Sequence, residues 1–304
     1  MLKEEFKGTI YVILSGILYG FLSYFGISLM HKGFSLPEML FWRFAFSSLF
    51  LLIMVAPYLK KIKLPIKIIL KAASFGSIFY ASSSSLYFMS CNYIHSGLAM
   101  VIFFIYPGLV AVLNWLLYRA QITKIYFSSF ALITLGIIFL ADLSDVQINL
   151  YGIFLAILSG LTYAVYLILS KKQFSELSPL VGSLTVSIGS TILFLALSLL
   201  NKGSIVMPSD AVTLAYCIGN GFIATALPMF LMLIGLKYIS STKASILSVS
   251  EPVFTVICGC ILLGEILSLQ QMIGIIIVLT GSLIICKNDS HVKIDPYVSE
   301  LVDS

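Results

Sequence analysis

The residues of this sequence that could do chemistry sit where water should be scarce. In SVSEPVFTV, Ser248 to Val256, the carboxylate of Glu251 is followed at once by Pro252, inside a run otherwise suited to hydrocarbon. A charge at mid-bilayer depth is expensive against lipid, so Glu251 should face protein or water. At helical spacing around it stand Ala244, Ser248, Thr255 and Cys258, a small and polar stripe, while Val249, Phe254, Val256 and Ile257 lie off that stripe. Pro252 has no N–H to give the carbonyl of Ser248, which kinks the helix and frees an acceptor beside the carboxylate. Exposed backbone of this kind is tolerated where it lines a cavity. Two readings stand: Glu251 belongs to a site for a substrate or a proton, or it is a buried carboxylic acid hydrogen-bonded to a neighbouring helix.

A second ionisable group falls at comparable depth. Arg43, in LFWRFAF, lies roughly 10 Å below the start of its helix, and Glu251 roughly 14 Å from the opposite end of its own, at 1.5 Å per residue. Arg43 could snorkel to the headgroups, pair with a carboxylate or helix end, or bind an anionic substrate group. Further cavity candidates are polar residues at helical spacing. They are Ser77, Tyr80, Ser84 and Tyr87 in SIFYASSSSLYF, Asn220 and Thr225 with Pro228, Tyr19 and Tyr163, Tyr106 next to Pro107, and Asn114. Serines and threonines in such helices more often serve close packing, whereas tyrosine rings could hold a cation or a flat apolar group. The set expected at a substrate site is therefore Glu251, Arg43, Tyr19, Tyr80, Ser84, Tyr106, Tyr163, Asn220 and Ser248, with helix kinks at Pro107, Pro228 and Pro252. No nucleophile–base pair, no HExxH and no ATP-binding loop is visible. His31, His95 and His291 show no metal spacing, and Cys258 and Cys260 point to different helix faces, so neither catalysis, a metal nor a cofactor is expected.

The elements that must position these residues follow from composition. Hydrophobic residues make up 60% of the 304 and charged residues only 10%, with a mean hydropathy of +1.06. A soluble domain carries roughly 25% charged residues, so the expectation is an all-α polytopic membrane protein. Apolar runs fall near 8–30, 36–57, 68–90, 94–118, 125–142, 150–170, 178–200, 211–236, 242–264 and 268–286, ten in all, each suited to one crossing. The net charge of +5 reports orientation rather than affinity for nucleic acid. With the N-terminus in the cytoplasm, only Lys32 and Lys202 fall on the outer side, while Arg43 lies within a span and the other cations fall inside. Both termini are then cytoplasmic. Glu265, Asp142, Asp145 and Asp210 fall at span ends or in outer loops, and SLQQ at 268–271 reads as a capping box. The polar tail 287–304 is expected to be disordered.

The chain is written twice. ILSGILYG (Ile13–Gly20) returns as ILSGLTYA (Ile157–Ala164), and YIHSGLAMVIFFIYP (Tyr93–Pro107) aligns with YISSTKASILSVSEP (Tyr238–Pro252), as Gly136 does with Gly281. The offsets are 144 or 145 residues. Each copy, 8–145 and 150–286, holds five spans; five is odd, so the second enters the membrane from the opposite face and the repeat is inverted. Inverted repeats let each half adopt the other's shape, which gives two states open to opposite sides.

With its ten spans, duplicated ILSG starts, matched prolines in the fourth and ninth spans and LLGEILSLQQMIGIIIVLTG (Leu262–Gly281), the sequence resembles the drug/metabolite transporter superfamily, EamA type, over about residues 8 to 286. The resemblance implies a central cavity lined by both halves and transport of small metabolites, often export of amino acids. The expectation is a secondary transporter in a bacterial inner membrane, monomer or weak dimer, with a proton or an exchanged metabolite as coupling species. An uptake carrier for a cationic metabolite such as S-adenosylmethionine is the alternative. From other classes, an intramembrane enzyme lacks its motifs, and a membrane scaffold or receptor has no need of an inverted repeat.

Overall fold

A computed structural model describes residues 2–58, 66–141, 148–172, 176–202, 205–263 and 268–288. Among these the chain is helical, with no strand. The helices are α1 (Leu2–Tyr19), α2 (Leu22–His31), α3 (Leu36–Val55), α4 (Ile66–Lys71), α5 (Ser77–Ser90), α6 (Ser96–Phe103), α7 (Tyr106–Tyr118), α8 (Lys124–Leu140) and α9 (Leu150–Lys172). They continue as α10 (Pro179–Lys202), α11 (Ala211–Gly221), α12 (Leu227–Tyr238), α13 (Ser241–Leu247), α14 (Ser250–Leu263) and α15 (Leu269–Asn288). Glu265, Asp142, Asp145, His291 and the tail beyond Asn288 lie outside the described residues.

The ten expected spans are not ten unbroken helices. Among the described residues, seven stretches are long and apolar enough to cross a membrane: Glu4–His31, Leu36–Tyr58, Ser96–Tyr118, Leu150–Lys171, Pro179–Leu200, Ala211–Tyr238 and Ser241–Leu262. Lys124–Leu140 and Leu269–Ile285 are apolar but shorter. The expected third span falls outside the seven because the serine run Ser82–Ser85 lowers its hydropathy. Several spans are also interrupted. α1 gives way to α2 at Gly20, where Phe21 N–H reaches back only three residues, to Leu18 O at 3.2 Å. The fourth span breaks between α6 and α7 just ahead of Pro107, and the ninth between α13 and α14 just ahead of Pro252. The eighth passes through a π-turn, Phe222–Ala226, ahead of Pro228. Each proline lacks the N–H that would continue the preceding helix and sits comfortably in the first turn of a new one.

The repeat is visible bond by bond. Ser15 Oγ donates to Pro228 O at 2.7 Å, and its counterpart Ser159 Oγ donates to Ser83 O at 2.8 Å. A Cβ on Gly8 would lie 2.7 Å from the Cβ of Tyr238; one on Gly152 would lie 2.8 Å from that of Tyr93. Thus α1 packs on α12 as α9 packs on α5. The ILSG glycines serve the same purpose: Gly16 abuts Ser248 O and Glu251 N, and Gly160 abuts Phe103 O, so each backs the helix break of the other half. The remaining helices pair across the repeat. Ser47 and Ser48 of α3 meet Ser187 and Thr191 of α10 at 2.9 and 3.1 Å, while Gly136, Gly274 and Gly281 bring α8 and α15 together. α15 opens with a capping box in which Ser268 and Gln271 satisfy each other's N–H at 3.0 and 3.1 Å. Exposed Leu49, Ile53, Ile192, Ile261, Ile276 and Leu283 give the outside a lipid-compatible surface.

Candidate functional site

The interrupted first, fourth and ninth spans meet around a cavity of about 620 Å³, counting its mouth. α1 ends there with Tyr19, and α2 begins there with Leu22 and Ser23. α3 contributes Arg43, α5 contributes Tyr80, Ser83, Ser84, Tyr87 and Phe88, and α9 contributes Tyr163. Met100, Phe103 and Phe104 come from the α6 side, Glu251 and Thr255 from α14. Both halves of the repeat therefore line it.

Arg43 is 1% exposed and does not snorkel. Its Nε donates to Thr225 Oγ1 at 2.7 Å, Nη1 to Ser84 Oγ and Nη2 to Tyr80 Oη at 3.3 Å each. The guanidinium carbon stands 5.1 Å from the Phe44 ring centroid and 5.9 Å from that of Tyr80, within range of cation–π attraction. Thr225 can serve as acceptor because the π-turn lets its own hydroxyl donate to Asn220 O at 2.7 Å. Tyr80 is in turn hydrogen-bonded to Tyr19 at 2.9 Å. Neutral oxygens and rings thus hold the cation, with no carboxylate within 4.0 Å among the described residues.

Glu251 stands in the first turn of α14, not deep inside one continuous helix as its sequence position suggests. A helix N-terminus carries partial positive charge, which favours a carboxylate there. The carbonyl of Ser248 is not freed by Pro252: Glu251 N–H turns back to it at 3.0 Å. The carboxylate itself has no hydrogen-bond or ion-pair partner among the described residues and lines the cavity. One buried cation and one carboxylate thus face the same space without joining, an arrangement able to take a ligand that carries both charges. The tyrosines and phenylalanines form a connected wall. Phe103 lies 5.5 Å from Tyr87, 5.2 Å from Phe104 and 5.7 Å from Tyr163, ring centre to ring centre.

Six of the nine expected site residues, Glu251, Arg43, Tyr19, Tyr80, Ser84 and Tyr163, lie on this cavity. Tyr106 and Ser248 do not line it; their hydroxyls hydrogen-bond to each other beneath it. Asn220 lies behind Arg43, fully buried, its Nδ2 donating to Met39 Sδ at 3.5 Å. Ser77 is a packing residue, donating to Val186 O at 3.0 Å. Sequence reasoning missed Leu22, Ser23, Ser83, Phe88, Met100, Phe103 and Phe104. Most are apolar residues in apolar runs, and only the break of the fourth span, marked by Pro107, hints that they leave the lipid-facing pattern.

The two ends of the cavity differ. On the Lys243 side, α7 and α13 pack together. Asn114 Nδ2 reaches Ser241 Oγ and Thr242 Oγ1 at 3.0 Å each, and Lys243 Nζ reaches Glu5 Oε1 at 2.6 Å. On the other side, α6 and α14, the repeat counterparts of that pair, both give residues to the cavity lining, Met100 and Phe103 from α6 and Glu251 and Thr255 from α14.

A multi-pass helical membrane protein with a duplicated frame and a charged cavity lined by both halves is the class that fold and site define. The sequence profile of the EamA-like transporter family matches residues 6–141 and 150–287, and the chain belongs to that family. Among curated relatives, an uncharacterized transporter of Archaeoglobus fulgidus is 32% identical over 44% of this chain and 47% of its own length, and the uncharacterized transporter YwfM of Bacillus subtilis is 28% identical over 59% and 60%. The alignments thus span about half to three fifths of these relatives. The threonine/homoserine exporter RhtA of Escherichia coli is 27% identical over 68% of this chain and 69% of its own length. A protein of known crystal structure superposes with a TM-score of 0.77 over 91% of this chain and 95% of its own, at 15% identity, which speaks for the fold alone.

Proposed function

We propose that this protein is a secondary transporter that moves a small zwitterionic metabolite of the amino-acid class by alternating access, in the direction of export. The observation that carries this reading is the separated pair in the cavity. The Arg43 guanidinium can take a substrate carboxylate and the Glu251 carboxylate a substrate ammonium, while the walls exclude water and strengthen both contacts. The exporter RhtA among the relatives supports the substrate class and the direction. The alternative, uptake of a purely cationic metabolite such as S-adenosylmethionine, is weakened by a buried guanidinium on the same cavity. The inward bias of Lys residues supports cytoplasmic termini in a bacterial cell membrane. The cavity would then open outward, with its Lys243 end sealed toward the cytoplasm. A proton or an exchanged metabolite is the coupling species.

Purified protein in proteoliposomes, loaded with a mixture of amino acids, tests the reading. Counterflow of at least one labelled amino acid is expected, with a loss of about tenfold or more in Glu251→Gln, since a charged hydrogen bond contributes roughly 1.5–3 kcal/mol. Unchanged counterflow in a folded Glu251→Gln variant would remove this residue from the site.

A further inference from the structure

Each element of the first half has a counterpart 144 or 145 residues on, and the matched bonds Ser15–Pro228 and Ser159–Ser83 fix that register in three dimensions. The contacts of the opposite access state can therefore be read by exchanging counterparts, an inference that rests on the alternating-access reading above. At the sealed end three polar links hold α1, α7 and α13: Glu5–Lys243, Asn114–Ser241/Thr242 and Tyr106–Ser248. Lys243 is buried and Glu5 partly so, at 5% and 32% side-chain exposure, which shields their attraction from solvent screening.

The exchanged residues cannot make any of these links. Glu5 maps onto Asn149 and Lys243 onto Leu98, so the ion pair has no mirror image. Asn149 is already engaged, accepting from Tyr151 N and Gly152 N at 3.0 and 3.2 Å to cap α9. Asn114 maps onto Gly259, which has no side-chain amide to offer Ser96 and Gly97. Tyr106 and Ser248 map onto Glu251 and Phe103, a carboxylate and a ring in place of two hydroxyls. The frame is symmetric; the fastenings at its two ends are not.

We propose that these three links form a one-sided latch, so that the resting carrier is closed at the Lys243 end and open at the Ser96 end, and closure at the Ser96 end must proceed without a latch of its own. Spin-label distances between Ser96→Cys and the native Cys260, with Cys91, Cys217, Cys258 and Cys286 replaced by Ser, read the width of the open mouth. The wild-type background should give a long distance almost alone. Glu5→Gln combined with Asn114→Ala should raise the fraction at a shorter distance about tenfold, the effect of roughly 1.4 kcal/mol on a two-state equilibrium. The swap Glu5→Lys with Lys243→Glu, leaving Asn114 intact, should return the distribution toward wild type, which mere loss of packing would not do. Installing the mirror latch, Asn149→Asp with Leu98→Lys, should favour the short distance. Monodisperse variants with an unaltered distribution after latch removal, while the mirror latch still produces the short distance, would overturn the inference. A single long distance in every protein, mirror latch included, would sink the alternating-access reading along with it.

Discussion

The α1·α12 contact and its counterpart α9·α5 are the same joint made twice, with the same serine donating to the same helix position and the same glycine under the same tyrosine. The α7·α13 and α6·α14 pairings are also counterparts, yet the first is packed and bonded while both members of the second give residues to the cavity lining. Duplicated residue types sit where the geometry must be identical in both halves. Unmatched residues sit where the halves must differ. Arg43, whose counterpart lies near Ser187, Glu251, opposite Tyr106, and Asn114, opposite Gly259, all fall in the second group. In this protein the frame is symmetric and the chemistry is not.

The symmetry of the frame can be broken to a measurable degree. A Cβ on Gly16 would stand 2.1 Å from Ser250 Oγ, with Ser248 O at 3.1 Å and Glu251 N at 3.2 Å. One on Gly160 meets Phe103 O at 3.0 Å, and the next atom, Tyr106 Cβ, lies at 3.6 Å. Gly16→Ala should therefore destabilise the protein by about 1–3 kcal/mol through overpacking. In Gly160→Ala, a milder clash is offset by the roughly 1 kcal/mol that alanine gains over glycine in a helix. Thermal midpoints in one detergent would read the difference, and equal midpoints would contradict the contact geometry. A smaller effect sharpens the likeness. Ser15→Ala and Ser159→Ala each delete one buried hydrogen bond to a helix carbonyl and should cost about 1 kcal/mol apiece, with similar shifts in midpoint. A large effect at one and none at the other would show that the two joints do not carry equal load.

Much of the frame was legible in the sequence because it rests on residue identity. ILSG, the Tyr-Ile pairs 93–94 and 238–239, and Gly136 with Gly281 recur at offsets of 144 or 145 residues, and those residues make the duplicated joints. The site was legible where charge or a hydroxyl stands out in an apolar run, as at Glu251, Arg43, Tyr80 and Ser84. It was opaque where a break redirects a helix. Nothing in periodicity places Glu251 in a first helical turn, or moves Phe103 and Met100 from a lipid-like stripe to a cavity wall. Tyr106 and Ser248 satisfy the same spacing rule as the lining residues, yet they meet each other, because the two breaks bring α7 and α13 together beneath the cavity. The count of ten spans was inexact for a related reason: a serine-rich helix that faces protein rather than lipid does not need high hydropathy.

Access to the cavity is the claim on which the account turns, and a cysteine at Ser84, deep in the cavity beside Arg43, tests it most directly. In proteoliposomes of known orientation, Ser84→Cys in a background free of other cysteines should react with a membrane-impermeant thiol reagent from the Ser96 face at rest. It should react from the Lys243 face once an amino acid that supports counterflow is present on both sides. Reaction from one face alone under every condition, with counterflow intact, would contradict a cavity that opens to each side in turn.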